Sequence, residues 1–173
     1  MKKITDIHEL RQIQMGILDE VHQYSEAHGL RYFLSSGTLI GAVRHKGYIP
    51  WDDDIDVYMP RKDYERFLRE FKGNEQYKLL NPAKEPHYYY TFAKVIDLRT
   101  RMVEDETEGF EIGVYMDIFP VDYVPDDMKS ASMYSNARSC FIKFVVAKYR
   151  RTILCIRVWP IGAIGFYPFP LNS

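Results

Sequence analysis

A chain of 173 residues suffices for one domain and is short for two. Its 23 Lys and Arg against 24 Asp and Glu give a formal charge of -1, which excludes a basic surface of the kind that tracks nucleic-acid phosphates. Hydrophobic residues make up 46% and charged ones 27%, so the composition is that of a globular domain with a sizeable core and not of a disordered chain.

Residues 1–11 place Asp6, His8, Glu9 and Arg11 soon after Lys2 and Lys3. No apolar h-region fits there, and no secretory leader is expected. Residues 6–28 read as an amphipathic helix, with Ile7, Leu10, Ile13, Ile17, Val21 and Tyr24 at spacings of three and four. Asp6 with Glu9 opens it as a capping box, and Gly29 stands at its C-terminal cap. Residues 30–34 predict a strand, Ser35-Ser36-Gly37 a turn, and 38–45 a short helix.

Gly47 and Pro50 interrupt the pattern, and a strand is expected from about Asp54. Pro60 opens a second clear helix over 60–72, closed by Gly73. Strands are expected at 77–80, 91–97, 101–104 and 113–119, and a last helix from Asp126 to Arg150. Runs of neighbouring strands favour an α+β fold with a mixed or antiparallel sheet. Residues 151–173 show no clean period and read as an irregular tail outside a domain of residues 1–150. Arg157 and the prolines at 160, 168 and 170 make that stretch a poor membrane span, so no transmembrane segment is expected. Cys140 and Cys155 form no CxxC motif, which argues against a zinc ribbon or dithiol site and fits a reducing compartment.

The chemistry concentrates in LSSGTLIGAVRHKGYIPWDDDIDVYM, residues 34–59. If 52–58 is extended, Asp52, Asp54 and Asp56 share one face, with Ile55 and Val57 on the other. Carboxylates about 6.6 Å apart repel by about 0.6 kcal/mol in water and about 2.5 kcal/mol at an effective dielectric of 20. In a cleft that repulsion calls for a counterion, and hard oxygen ligands suit Mg²⁺ or Mn²⁺. A solvated acidic loop is the plainer alternative. An EF-hand is excluded, because Val57 stands where its glycine is needed and Asp63 where its glutamate is.

Ser36, Gly37 and Thr38 lie between a strand and a helix, where main-chain N–H groups can cradle a phosphate; simple helix capping by Ser36 or Thr38 is the competing account. Arg44, His45 and Lys46 can neutralise a diphosphate or leaving group, or merely end a solvated helix. Asp117, inside the apolar GVYMDIFPVD, needs a cation or hydrogen-bond donors. Lys94, in FAKVID, pairs with Asp97 or Asp117 or reaches a phosphate. Tyr88-Tyr89-Tyr90 suits core packing or stacking on a ring.

SSGTLIGAVRHKGYIPWDDDIDVYMPRKDYERF and YMDIFPVDYVP resemble the two signature blocks of the LicD family, within the nucleotidyltransferase-like superfamily that includes fukutin and fukutin-related protein. The similarity covers roughly residues 8–127. It implies a polymerase-β-like nucleotidyltransferase fold, a small mixed sheet flanked by helices. It also implies transfer of phosphocholine from CDP-choline, or of a related phospho-alcohol such as ribitol phosphate, to a sugar hydroxyl of a cell-surface glycan or glycolipid. By position, Gly37 and Thr38 match the phosphate turn, Asp54 and Asp56 the metal pair, and Asp52 the rest of the D-x-D-x-D motif. Asp117 takes the third acidic place and Lys94 that of a basic strand residue.

The expected catalytic residues are therefore Asp54, Asp56 and Asp117, and the metal ligands Asp52, Asp54, Asp56 and Asp117. Ser36, Gly37, Thr38, Arg44, His45, Lys46 and Lys94 are expected to bind substrate. The resemblance places such an enzyme in the cytoplasm, in peripheral contact with the inner membrane face. Residues past about 150 leave the family pattern. Two other readings stay open: an inactive nucleotide- or glycan-binding fragment, and a nucleotidyltransferase releasing pyrophosphate.

Overall fold

The 3–4 apolar spacing of the first segment forms a helix, α1 (Ile7–His28), in the computed structural model, which describes residues 4–85, 88, 90–102, 112–123, 126, 127, 129, 132 and 133. The Asp6 carboxylate accepts from the His8 N–H at 2.9 Å, and Gly29 closes the helix in the left-handed region. β1 (Phe33–Leu34), α2 (Ser36–Arg44), β2 (Asp56–Pro60), α3 (Arg61–Glu70), β3 (Tyr77–Leu80), β4 (Ala93–Asp97) and β5 (Tyr115–Val121) follow. Pro60 is the N-cap of α3, immediately before its first turn.

Among the described residues one sheet runs in the order β1-β2-β5-β4-β3. β2 and β5 are parallel and the other neighbours antiparallel, so the sheet is mixed. The strand expected at 101–104 is represented by a single bridge between Met102 and Ile112. Of the helix expected from Asp126, only Lys129, Ser132 and Met133 fall among the described residues, and they are helical; the tail at 151–173 lies outside them.

Both long helices pack on one sheet face. Ile17 and Val21 of α1 and Tyr64 and Phe67 of α3 bury Val57, Met59, Ala93, Val95, Met116 and Ile118. Strand alternation sends Asp56, Tyr58, Lys94, Tyr115, Asp117 and Phe119 to the opposite face. A smaller cluster of Leu80, Tyr88, Ile96 and Ile112 packs there, with Tyr90 and Tyr115 against it.

Candidate functional site

The sheet register brings distant charges into one row. Asp56 stands opposite Asp117 across the parallel β2–β5 pair, and Lys94 opposite Asp117 across β4–β5. Adjacent strands lie about 4.8 Å apart, so these side chains are neighbours although 61 residues separate the two aspartates in sequence. Lys94 Nζ sits 2.6 Å from Asp117 Oδ1, with the lysine side chain 1% and the aspartate 13% exposed. The rings of Tyr115, Tyr90 and Phe92 surround the ammonium at 3.4, 4.4 and 5.3 Å from their centroids. Burying a cation is costly, and the carboxylate and three ring faces offset that cost. Of the partners considered for Lys94, Asp117 is the one it takes; Asp97 instead receives Arg99.

The acidic loop departs from strict strand alternation. Residues 52–55 lie outside β2, and Asp53 joins the cluster that alternation would have denied it. One carboxylate oxygen from each of Asp52, Asp53 and Asp54 lies within 4.8 Å of the others. Asp52 Oδ2 is buried and accepts no hydrogen bond. It occupies the space a Cβ on Gly37 would fill, so any larger residue there would displace the Asp52 carboxylate from the start of α2.

The turn before α2 is tied to the same aspartates. Ser36 starts the helix at φ 46, and its hydroxyl favours the ionised form of the Asp56 carboxyl. Thr38 Oγ1 accepts from the Asp56 N–H at 2.9 Å. Neither residue is the cap expected on the plainer account: Ser35 holds the N-cap position, and its buried hydroxyl has no partner.

Burial, first, pushes the Asp56 carboxyl up to about 6, with Asp54 acting in the same direction and Lys94 and Ser36 against it. Asp117 is also pushed up to about 6, by burial above all, although the charge and hydrogen bond of Lys94 oppose the rise. Asp54 is raised by burial and then by the charges of Asp52 and Asp53. Asp54, Asp56 and Asp117 thus form one electrostatic group short of positive charge. The orphaned Asp52 oxygen and the convergent carboxylates fit a hard divalent cation.

Three residues that sequence reasoning passed over hold the loop. Arg11 donates to the carbonyl oxygens of Ile49, Pro50 and Asp52, its closest contact being 2.6 Å. Gln14 donates from Nε2 to the Asp53 carbonyl at 2.7 Å and accepts at Oε1 from the Tyr48 hydroxyl at 3.1 Å. The Arg11 guanidinium lies 4.8 Å from the centre of the Tyr48 ring. Bonds from α1 thus claim the Asp52 and Asp53 carbonyls, while the Ile55 carbonyl already accepts from the Asp117 N–H at 2.9 Å. The available signal was Gln14, a polar residue on the Leu10–Ile17–Val21 stripe of the helix and 2% exposed.

Not all expected residues converge. Arg44 ends α2, about 12 Å along the axis from Ser36 at a rise of 1.5 Å per residue. Arg44 and His45 are exposed at that far end. Lys46 turns back through a left-handed conformation at φ 58 and, with Thr38, Tyr48 and Ile55, lines a cavity of about 340 Å³. Tyr88 is buried and donates to the Phe92 carbonyl at 2.8 Å, while Tyr90 packs against Lys94; Tyr89 lies outside the described residues. Beside the acidic row, the rings of Phe92, Phe119 and Tyr58 follow one another at centroid distances of 4.3 and 6.0 Å.

A small mixed sheet presenting clustered carboxylates beside a glycine-containing helix start defines an acidic class of site whose oxygen donors fit a hard cation. The family described as LicD/FKTN/FKRP, nucleotidyltransferase domain, matches residues 29–154, and the chain belongs to that family. It is 42% identical over 132 residues to the lipopolysaccharide cholinephosphotransferase LicD of Haemophilus influenzae, covering 75% of this chain and 49% of that protein. Human ribitol 5-phosphate transferase FKRP is 56% identical over 32 residues, 18% of this chain and 6% of that protein. An uncharacterized protein of Rickettsia typhi, RT0683, is 37% identical over 59 residues, covering 32% of this chain and 19% of its own length. The chain thus spans about half the length of the Haemophilus relative. No solved structure matches it. Among the described residues no helix is long and apolar enough to cross a membrane.

Proposed function

We propose that this domain catalyses metal-dependent transfer of phosphocholine, or a related phospho-alcohol, from a CDP-linked donor to a sugar hydroxyl of a cell-surface glycan. The observation that carries the reading is an acidic group at one sheet end: oxygens of Asp52, Asp53 and Asp54 lie within 4.8 Å of one another, Asp56 stands in register with Asp117, and a buried Asp52 oxygen lacks a partner. Family membership and the names of the Haemophilus and human relatives support it. On this reading the fold is of the polymerase-β-like nucleotidyltransferase type and residues 1–150 form the catalytic unit.

Asp52, Asp54, Asp56 and Asp117 would hold Mg²⁺ or Mn²⁺. Such an ion, when bound, supplies neutralisation of phosphate charge and a lowered pKa for a nearby hydroxyl. The protein's own part is positional and acid–base. Asp56 or Asp117, each raised to about 6, accepts the proton of the acceptor hydroxyl near neutral pH. The acceptor oxygen bonds to the phosphorus bearing choline, and the bond from that phosphorus to the bridging oxygen breaks to release CMP. Gly37 and Thr38 border the donor phosphates at the positive end of α2. Lys46, which returns toward Thr38, offsets charge on the leaving group better than Arg44 at the far end of the helix. Phe119 and Tyr58 offer ring faces for a base or for choline methyl groups.

The acceptor is a glycolipid met at the cytoplasmic membrane face. Exposed Leu39, Ile40 and Val43 on α2, followed by exposed Arg44, His45 and Lys46, support peripheral contact there. Calorimetric titration with Mn²⁺ tests the site. Binding should tighten when CDP-choline is present and disappear in Asp54→Asn; equal binding by wild type and Asp54→Asn would refute the ligand assignment.

A further inference from the structure

Arg11 makes four hydrogen bonds, all to main-chain carbonyl oxygens of residues 49–52, and none to a carboxylate. An arginine placed for charge compensation faces the anions. This one spends its planar fork on peptide groups, while its guanidinium rests on Tyr48 and Gln14 continues the grip at the Asp53 carbonyl. Arg11 and Gln14 are three residues apart and so share one side of α1. Together they fix the peptide planes of 49–53, and hence the directions in which the carboxylates of Asp52, Asp53 and Asp54 leave the backbone.

We infer that Arg11 is a positioning residue: through the loop carbonyls it holds the aspartates convergent for cation binding. The inference rests on the proposed metal-dependent reading. It separates from a simple electrostatic role by sign. Removing a positive charge near an acidic site strengthens cation binding on Coulombic grounds. Releasing a clamp that aligns the ligands weakens it, as loss of outer supports around metal ligands does by about 10- to 100-fold. Lysine keeps the charge but presents a compact ammonium that cannot span three carbonyls as the guanidinium fork does.

The experiment is Mn²⁺ titration of the full chain, wild type against Arg11→Ala, Arg11→Lys and Asp54→Asn, with amide hydrogen exchange on the same proteins. Both Arg11 variants should bind Mn²⁺ at least about tenfold more weakly. The amides of residues 52–56 should exchange faster, while those of α3 stay unchanged. Wild-type affinity in Arg11→Lys, or tighter binding in Arg11→Ala, would overturn the inference. Should Arg11→Ala fail to fold, Arg11→Lys decides. If wild type itself binds no Mn²⁺, the metal reading fails, and the exchange result alone judges the clamp: unchanged exchange at 52–56 in Arg11→Lys overturns it, and faster exchange upholds it.

Discussion

Replacing Lys94 by methionine removes the cation opposite Asp117 while keeping an unbranched side chain among the rings of Tyr90, Phe92 and Tyr115. At 2.6 Å the pair attracts by about 6 kcal/mol at an effective dielectric of 20. Desolvation of both ions consumes part of that, and breaking such a pair costs about 3–5 kcal/mol. The residual exposure of Asp117, 13%, argues for the lower end, about 3 kcal/mol with the carboxyl fully ionised. At about 1.4 kcal/mol per pH unit this adds about two units to the Asp117 pKa.

In wild type that carboxyl is raised from 3.8 to about 6, so its contribution is fully present below the unfolded value and lost as pH rises through 6. In Lys94→Met the loss continues through about 8. Urea unfolding in EDTA should therefore show variant and wild type nearly equal at pH 5. The gap should widen between pH 6 and 8 to about 2 kcal/mol and approach about 3 kcal/mol above pH 9. A stability difference independent of pH over that range would show that Lys94 contributes packing and not charge compensation, and would refute the reasoning.

Gly37→Ala and Gly41→Ala should separate the site from the scaffold. At Gly37 the added methyl meets the Asp52 carboxylate, so Mn²⁺ affinity should fall with a modest change in melting temperature. At Gly41 it meets main-chain atoms of Gly47, Tyr48 and Ile49, which cannot yield as a side chain does, and urea unfolding should show a loss of about 1–3 kcal/mol. Thr38→Val removes the acceptor for the Asp56 N–H; denaturation should register a cost of about 1–3 kcal/mol if that amide has no water to replace it.

Local pattern carried α1 into the sequence reading to within a residue and α3 to within two, because each has a single apolar stripe; α3 stops at Glu70 with Phe71 as its cap, short of the expected Gly73. The strands at 77–80 and 93–97 were likewise legible as short apolar runs. What escaped was long-range. Nothing in the local sequence says that β2 and β5 run parallel; that Asp117 belongs with Asp54 and Asp56 came from the resemblance to the LicD blocks, and the register that sets Asp56 against Asp117 came only with the fold. The path of the chain at Asp52 and Asp53 is tied to Arg11 and Gln14, some 40 residues upstream, and no local propensity records a carbonyl being claimed from afar. The basic triplet looked adjacent to the phosphate turn in sequence, yet nine helical residues carry Arg44 to the other end of α2.

The central claim is metal-dependent phosphoryl transfer from a CDP-linked donor, and the most direct measurement is the ³¹P NMR spectrum of the reaction. The protein would be incubated with CDP-choline, Mg²⁺ and a lipopolysaccharide-type glycan acceptor, in parallel with EDTA and with Asp54→Asn. The account predicts CMP accumulating in step with a new phosphodiester signal on the glycan, only with Mg²⁺ and intact Asp54. Turnover that persists in EDTA or in Asp54→Asn would contradict it, as would pyrophosphate released from CTP in place of CMP from CDP-choline.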